Sequence, residues 1–347
     1  MRILLWHVHG SWTTAFVQGP HTYVVPVTPD RGPDGLGRAR TFDWPGTVVE
    51  VEPERLAQQD VDVVVLQRPH EIGLVDRWLR RRPPLVYLEH NAPHGDVPDT
   101  RHPAADIPGV TLVHVTHFNR LMWDAGSTST TVIEHGIVDP GPLWTGELPH
   151  AAVVVNEPVR RGRTTGTDLL PPFAAAAPLD VFGMGTEGLA AHLGLPADRC
   201  RSHELTQARL HAEMARRRVY VHPVRWTSLG LSLLEAMHLG MPVVALATTE
   251  VTEAVPPGAG VVSNRLDVLT DAVRDFVADP LSAAAAAGHL GVQAAPWFPP
   301  GGCPGSSRRP RWAARRSAPH APPARSRAGD THKSIPASHA LQRRRPR

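Results

Sequence analysis

The sequence predicts an α/β protein with two successive domains, each built on a parallel sheet. Continuous β-branched runs such as Asp62–Gln67 (DVVVLQ) recur along the chain, as expected of strands buried on both faces. Helical patterns alternate with them, which is the signature of strand–helix–strand units. A Pro/Gly-rich stretch, Asp139–Pro149, interrupts the pattern before it restarts, and reads as a domain junction.

Taken in order, Ile3–His9 is a first strand, closed by Gly10. Asp62–Gln67 is the next, followed by a helix near Glu71–Arg80. Leu85–His90 (LVYLEH) and Thr111–Thr116 (TLVHVT) are two more strands. Phe118–Asp124 reads as a short helix, and Val132–Gly136 (VIEHG) ends the first series. After the junction, strands are expected at Ala151–Asn156, Leu179–Phe182, Val219–His222 and Val243–Ala247. Helices fit near Thr167–Ala176, Leu189–Leu193, Leu205–Arg217, Gly230–Leu239 and Asp267–Val277. The expected boundaries are residues 1–140 for the first domain and 150–295 for the second. In open sheets of this kind ligands bind outside the carboxyl ends of the strands.

The 347 residues suffice for two ordinary cores. Cys200 and Cys303 are the only cysteines, which excludes a disulfide framework or a cysteine metal site. The N-terminus MRILLWHVHG reads as a strand and not as a signal peptide, and no stretch approaches the ~20 apolar residues of a membrane helix. A cytoplasmic location is the expectation. The net charge of +3 is unevenly spread. Residues 296–347 hold eleven Arg and one Lys against one Asp, a balance of +11, so the rest of the chain carries about −8. This Pro/Arg/Ser-rich segment has no strand or helix period and is expected to be a disordered tail. It reads either as a basic arm for anionic partners or as sequence without selected structure; the second is favoured, and nucleic acid is not an expected partner.

The most informative segment is Val221–Ala247. A strand end leads through a loop into a helix stopped by Gly240 and Pro242, and then into a buried strand. The helix is apolar on nearly every side except at Glu235. A carboxylate there costs free energy unless it has a partner. Either it reaches water or an arginine at the helix edge, or it holds a ligand.

The pattern LLEAMHLGMPVVA around Glu235 resembles the signature of retaining, family-four glycosyltransferases of the GT-B fold, E-x(7)-E followed by A-M-x-x-G-x-P-V-V-A. The resemblance covers roughly residues 1–290 and is strongest in 219–247. It implies two Rossmann-like domains facing a cleft, and transfer of a sugar from a nucleoside diphosphate sugar to an acceptor with retention. It implies that Glu235 accepts hydrogen bonds from the donor ribose hydroxyls. The family's first Glu would stand at position 227, where this chain has Thr227, which brings no charge to the sugar. The loop of Thr227, Ser228, Leu229 and Gly230 would contact the sugar or phosphates.

Further motifs fit the same resemblance. Gly10 matches a glycine loop near the donor phosphates. His90 occupies the place of a family histidine beside the donor sugar and would line the reacting centre on the acceptor side. His70 ends a neighbouring strand and could line the same cleft, with His114 and His117 as weaker candidates. VVVNEPVRRGRTTGTDLL resembles G-R-x(4–5)-K-G-x-D-x-L, whose Arg and Lys bind the pyrophosphate. Arg160 or Arg161 stands near the Arg position, Thr165 falls where Lys is expected, and Arg163 could substitute, since guanidinium binds phosphate bidentately. Gly183, Gly185 and Gly188 form G-x-G-x-x-G, read as a turn needing close strand–helix packing and not as a dinucleotide fingerprint. Asp60-Val61-Asp62 precedes its strand, away from the cleft, so no metal and no cofactor are expected. The first domain would bind the acceptor and the second the donor. The alternatives are a degenerate GT-B protein that binds nucleotide sugar without turnover, favoured by Thr227, and a GT-B sugar-nucleotide epimerase.

Overall fold

The computed structural model describes residues 1–290. The expectation of a disordered tail at 296–347 lies outside the described residues. Two parallel sheets make up the fold. The first holds β1 (Arg2–Leu5), β2 (Thr22–Pro26), β3 (Val48–Val51), β4 (Val63–Leu66), β5 (Leu85–Glu89), β6 (Val110–His114) and β7 (Ser129–Val132). Their spatial order is β3-β2-β1-β4-β5-β6-β7. The second holds β8 (Leu148–Val154), β9 (Leu179–Phe182), β10 (Cys200–His203), β11 (Arg217–His222), β12 (Val243–Leu246) and β13 (Gly260–Ser263), in the order β10-β9-β8-β11-β12-β13. In both sheets the order reverses beside the first strand, between β1 and β4 and between β8 and β11. Such switch points open crevices at the carboxyl ends of the strands.

The central strands are apolar on both faces because helices cover both sides. Val64 and Leu66 pack with Leu4, Trp6, Leu74 and Leu85 on one face of the first sheet. Ile3, Leu5, Trp12, Val65 and Val113 pack on the other. The second sheet repeats the plan, with Val153, Val219, Val221 and Phe173 on one face and Tyr220, Leu233, Val243 and Ala245 on the other.

The structure adds β2, β3, β10 and β13, which the sequence reading did not anticipate. Three of these are edge strands, exposed or half-buried along much of their length, so they lack a continuous apolar run. The last strand of the first sheet lies three residues earlier than expected, at Ser129–Val132, because it too is an edge strand with alternating polar Ser and Thr. The first strand ends at Leu5 and not at His9, and a helix, Gly10–Phe16, starts five residues later. The junction is more ordered than its Pro/Gly content suggests. Trp144 packs against the second domain, with its backbone N–H on the Leu239 carbonyl (3.0 Å) and its indole N–H on the Arg217 carbonyl (2.8 Å).

A buried ionic cluster ties β8, β9, β10 and β11 together. Asp180 on β9 accepts from Arg217 Nε at 2.8 Å and lies 2.8 Å from His150 Nδ1 and 3.0 Å from His203 Nε2. Burial alone would raise the Asp180 carboxyl, but His203, His150 and Arg217 outweigh it and hold it at about 2. Among the described residues no helix is long and apolar enough to cross a membrane.

Candidate active site between the two sheets

The strand-end loops of the two sheets meet. Ser228 Oγ donates to the His90 carbonyl (2.5 Å) and Trp226 Nε1 to the Pro93 carbonyl (2.8 Å). The backbone N–H of Phe118 donates to Glu250 Oε2 (2.7 Å), and the Phe118 and Trp226 rings meet edge to face at 5.4 Å. The loops after β11 and β12 are thus joined to those after β5 and β6, and the carboxyl ends of both sheets border one cleft.

Glu235 lies on the helix Leu231–Leu239, with Gly230 as N-cap and Gly240 as C-cap at φ +85. The left-handed cap needs glycine and ends the helix where the sequence expects. Glu235 is 4% exposed. Among the described residues it pairs with no arginine. Its Oε1 accepts from Gln207 Nε2 (2.9 Å) and its Oε2 lies 3.6 Å from His211 Nε2. Both partners belong to the preceding helix, Gln207–Ala215. Carboxylate Oε2 therefore retains acceptor capacity.

Gly230 is required by close approach, because a Cβ there would lie 2.5 Å from His222 Cε1. Ser228 is buried and bonded to the first domain, Leu229 is buried in the core of the second, and Thr227 is half-buried with no side-chain hydrogen bond among the described residues. Gly10 opens the helix after β1. A Cβ at this position would meet Phe42 Cε2 at 2.7 Å, so a larger residue would displace that ring.

His90 sits among aromatic rings, 4.2 Å from His9 and 4.9 Å from Trp12 between centroids, with Nε2 3.0 Å from Gln67 Oε1. Burial, followed by the neighbouring His9 and His135, pushes its imidazole well below the ordinary value. Burial pushes His135 down to about 4, and both of its ring nitrogens are buried without a hydrogen-bond partner among the described residues. His9, His90 and His135 come from the ends of β1, β5 and β7, and the sequence reading found only His90. His70 is exposed and bonded to Asp34 (2.8 Å), His114 is fully buried within the first domain, and His117 is exposed, 3.8 Å from Glu134.

The arginine loop follows β8. Arg160 pairs with Glu157, and Arg163 donates to Asp168 (2.8 Å). Arg161 makes no side-chain hydrogen bond or ion pair among the described residues, and partial burial and the Arg160 charge lower its pKa. Thr165, where the resemblance expects Lys, is buried and turned inward, its hydroxyl on the Gly162 carbonyl (3.1 Å) and beside Thr167 Oγ1 (3.0 Å). Arg225, which the sequence reading missed, fastens this loop to the one after β11 by a two-pronged pair with Asp168 at 2.5 and 2.8 Å.

Gly166 closes the turn at φ +75, where a Cβ would lie 1.9 Å from the Pro223 carbonyl oxygen. Gly166→Ala should destabilise the protein by at least ~1–2 kcal/mol, the cost of the left-handed conformation alone. Thermal unfolding checks this. Gly183, at φ +135, would place a Cβ 2.2 Å from the Val155 carbonyl, so this glycine serves the approach of two strand-end loops and not the strand–helix packing expected.

Residues 180–288 match the family model described as Glycosyl transferases group 1. No curated protein matches the chain. Among solved structures, Anabaena Alr3699/HepE in complex with UDP and glucose superposes with a TM-score of 0.61 at 15% identity, over 83% of this chain and 93% of that one. Sucrose-phosphate synthase from Thermosynechococcus elongatus gives 0.58 at 16% identity, over 83% and 92%. TarM gives 0.52 at 13% identity, over 66% of this chain, which spans only 50% of TarM's length. At these identities the likeness establishes the fold. The chain has the GT-B architecture of two Rossmann-like domains, and its residues 180–288 are similar to the group 1 glycosyl transferases.

Proposed function

We propose that the protein transfers a sugar from a nucleoside diphosphate sugar to an acceptor with retention at the anomeric carbon. The observation that carries this reading is Glu235, a buried carboxylate with spare acceptor capacity, within the segment matching the group 1 family. Two vicinal ribose hydroxyls can donate to its two oxygens, as charge-assisted bonds that survive in a dry site. The arginine loop after β8 faces the leaving diphosphate in this reading, and its charge stabilises the negative charge that develops as the glycosidic bond breaks. The reading assigns no metal and no cofactor to that step. The N-terminus of the helix Leu231–Leu239 and the residues Thr227, Ser228, Leu229 and Gly230 border the sugar and phosphates. His90 lines the reacting centre, Gly10 the phosphate end. Residues 1–140 take the acceptor and residues 150–295 the donor, in the cytoplasm, where the free thiol of Cys200 fits a reducing compartment.

HepE binds UDP and glucose, which makes UDP-glucose the first donor to test. Turnover is measured as UDP release with and without acceptor extracts, and the anomeric configuration of the product tests retention. Release that depends on acceptor supports the transferase. A second reading is favoured by two substitutions, Thr227 for Glu and the inward-turned Thr165 for Lys. In that case the protein binds nucleotide sugar tightly and releases no UDP from any donor tried.

Among the three arginines, Arg161 has no ion-pair partner among the described residues, whereas Arg160 and Arg163 already face carboxylates. Arg161→Gln should therefore weaken UDP binding more than either other single change, while leaving uridine binding nearly intact. Calorimetry with both ligands checks this, and equal losses for uridine and UDP would contradict it.

A further inference from the structure

Gln67 stands at the end of β4, buried, and every polar group it carries is engaged. Its backbone N–H donates to Glu71 Oε2 (2.6 Å) and its carbonyl accepts from the Tyr87 hydroxyl (3.4 Å). Its side chain spans two partners. One amide end lies 2.9 Å from the Trp6 backbone carbonyl, and the other lies 3.0 Å from His90 Nε2. A carbonyl oxygen only accepts. The Gln67 NH₂ must therefore face Trp6, because the reversed amide would set two carbonyl oxygens against each other. The Gln67 oxygen then faces His90, and it too only accepts, so the proton on His90 is at Nε2. A neutral imidazole protonated there keeps its lone pair on Nδ1. That nitrogen has no hydrogen-bond partner among the described residues. No acid answers it either. Glu89, adjacent in sequence, directs Oε1 to the Asn91 N–H (2.6 Å) and Oε2 to His102 Nε2 (2.9 Å). The other titratable groups close to His90 are His9 and His135, both imidazoles held below their ordinary pKa by burial.

We propose that Gln67 is a positioning residue that holds His90 protonated at Nε2, so that Nδ1 accepts a hydrogen bond from a hydroxyl of the bound sugar and the subsite favours an uncharged sugar over an acidic one. This rests on the nucleotide-sugar reading of the cleft. An acidic sugar would set a carboxylate against a lone pair, which repels it unless the ring takes up a second proton. Burial opposes that uptake.

The test is nitrogen NMR on the full chain with labelled histidine, with His90 assigned through His90→Gln. The ligand-free protein should show His90 protonated at Nε2 and bare at Nδ1. Gln67→Met, which keeps volume but removes the acceptor, should convert this to a mixture of tautomers while the His114 signals of the folded core stay in place. UDP-glucose should shift the Nδ1 resonance without protonating it, and UDP-glucuronic acid should bind at least about tenfold more weakly. A proton on Nδ1 in the ligand-free protein, or no change in Gln67→Met, overturns the role of Gln67. Tighter binding of the acidic donor, or a doubly protonated His90 in its complex, overturns the sugar preference. Failure of UDP itself to bind would instead overturn the nucleotide-sugar reading, while the ligand-free tautomer still decides the role of Gln67.

Discussion

Lowering the pH from 7 to 4 should unfold the protein. His114 on β6 and His222 at the end of β11 are 0% and 1% exposed, and burial is the leading cause that brings each to about 4. For His114 the neighbouring His102 and Arg120 add to the effect. In the unfolded chain a histidine titrates near 6.5. Between these values the unfolded state binds more protons than the folded one, so stability falls as pH falls. The contribution is fully present above about pH 6.5 and lost by about pH 4, at a cost of order 3 kcal/mol for each of the two. His135, also held to about 4, acts in the same direction. Asp180, held at about 2, adds a further loss only below the ordinary Asp value of ~3.9. A domain's whole stability is about 5–15 kcal/mol, so two such groups remove a large part of it. Circular dichroism melts across this range should show the melting temperature dropping steadily below pH 6.5. His114→Leu, which removes one buried base whose two ring nitrogens lack partners among the described residues, should move the acid midpoint to lower pH. A melting temperature unchanged between pH 7 and 4.5 would contradict the burial argument.

Glu235→Gln should weaken binding of the nucleotide donor about 10- to 150-fold, corresponding to the ~1.5–3 kcal/mol of charge-assisted hydrogen bonds. The substitution keeps the shape of the side chain and the caps of its helix, so the fold should persist. It replaces a carboxylate that can accept from both ribose hydroxyls with an amide that accepts through one atom only. Calorimetric titration of wild type and variant with UDP checks this. Equal affinities in a folded variant would remove Glu235 from the site.

The central strands were legible in the sequence because a strand buried on both faces must be a continuous apolar run, as VVVL of β4 and LVYLE of β5 are. The edge strand β10 (CRSH) escaped, and β7 (STTV) was placed three residues late, because one side of each borders solvent and their polar residues mimic loop. The helix of Glu235 was legible through its glycine stop and apolar surround. Its Gln207 partner was not, since no local pattern points from one helix to another residue 28 positions earlier. The histidine group was legible only in part. His9, His90 and His135 meet because three parallel strands end at the same edge of one sheet, and nothing in their spacing along the chain encodes that. The role of Gln67 depends on which end of an amide faces a main-chain carbonyl, a matter of orientation that residue type leaves open.

The most direct test of the functional reading is a crystal structure of the protein with UDP-glucose. The account predicts the ribose hydroxyls on the Glu235 carboxylate, the diphosphate at the arginine loop beside Arg161, and the glucose in the cleft below His90. A nucleotide seated away from Glu235, with that carboxylate still held only by Gln207 and His211, would contradict it.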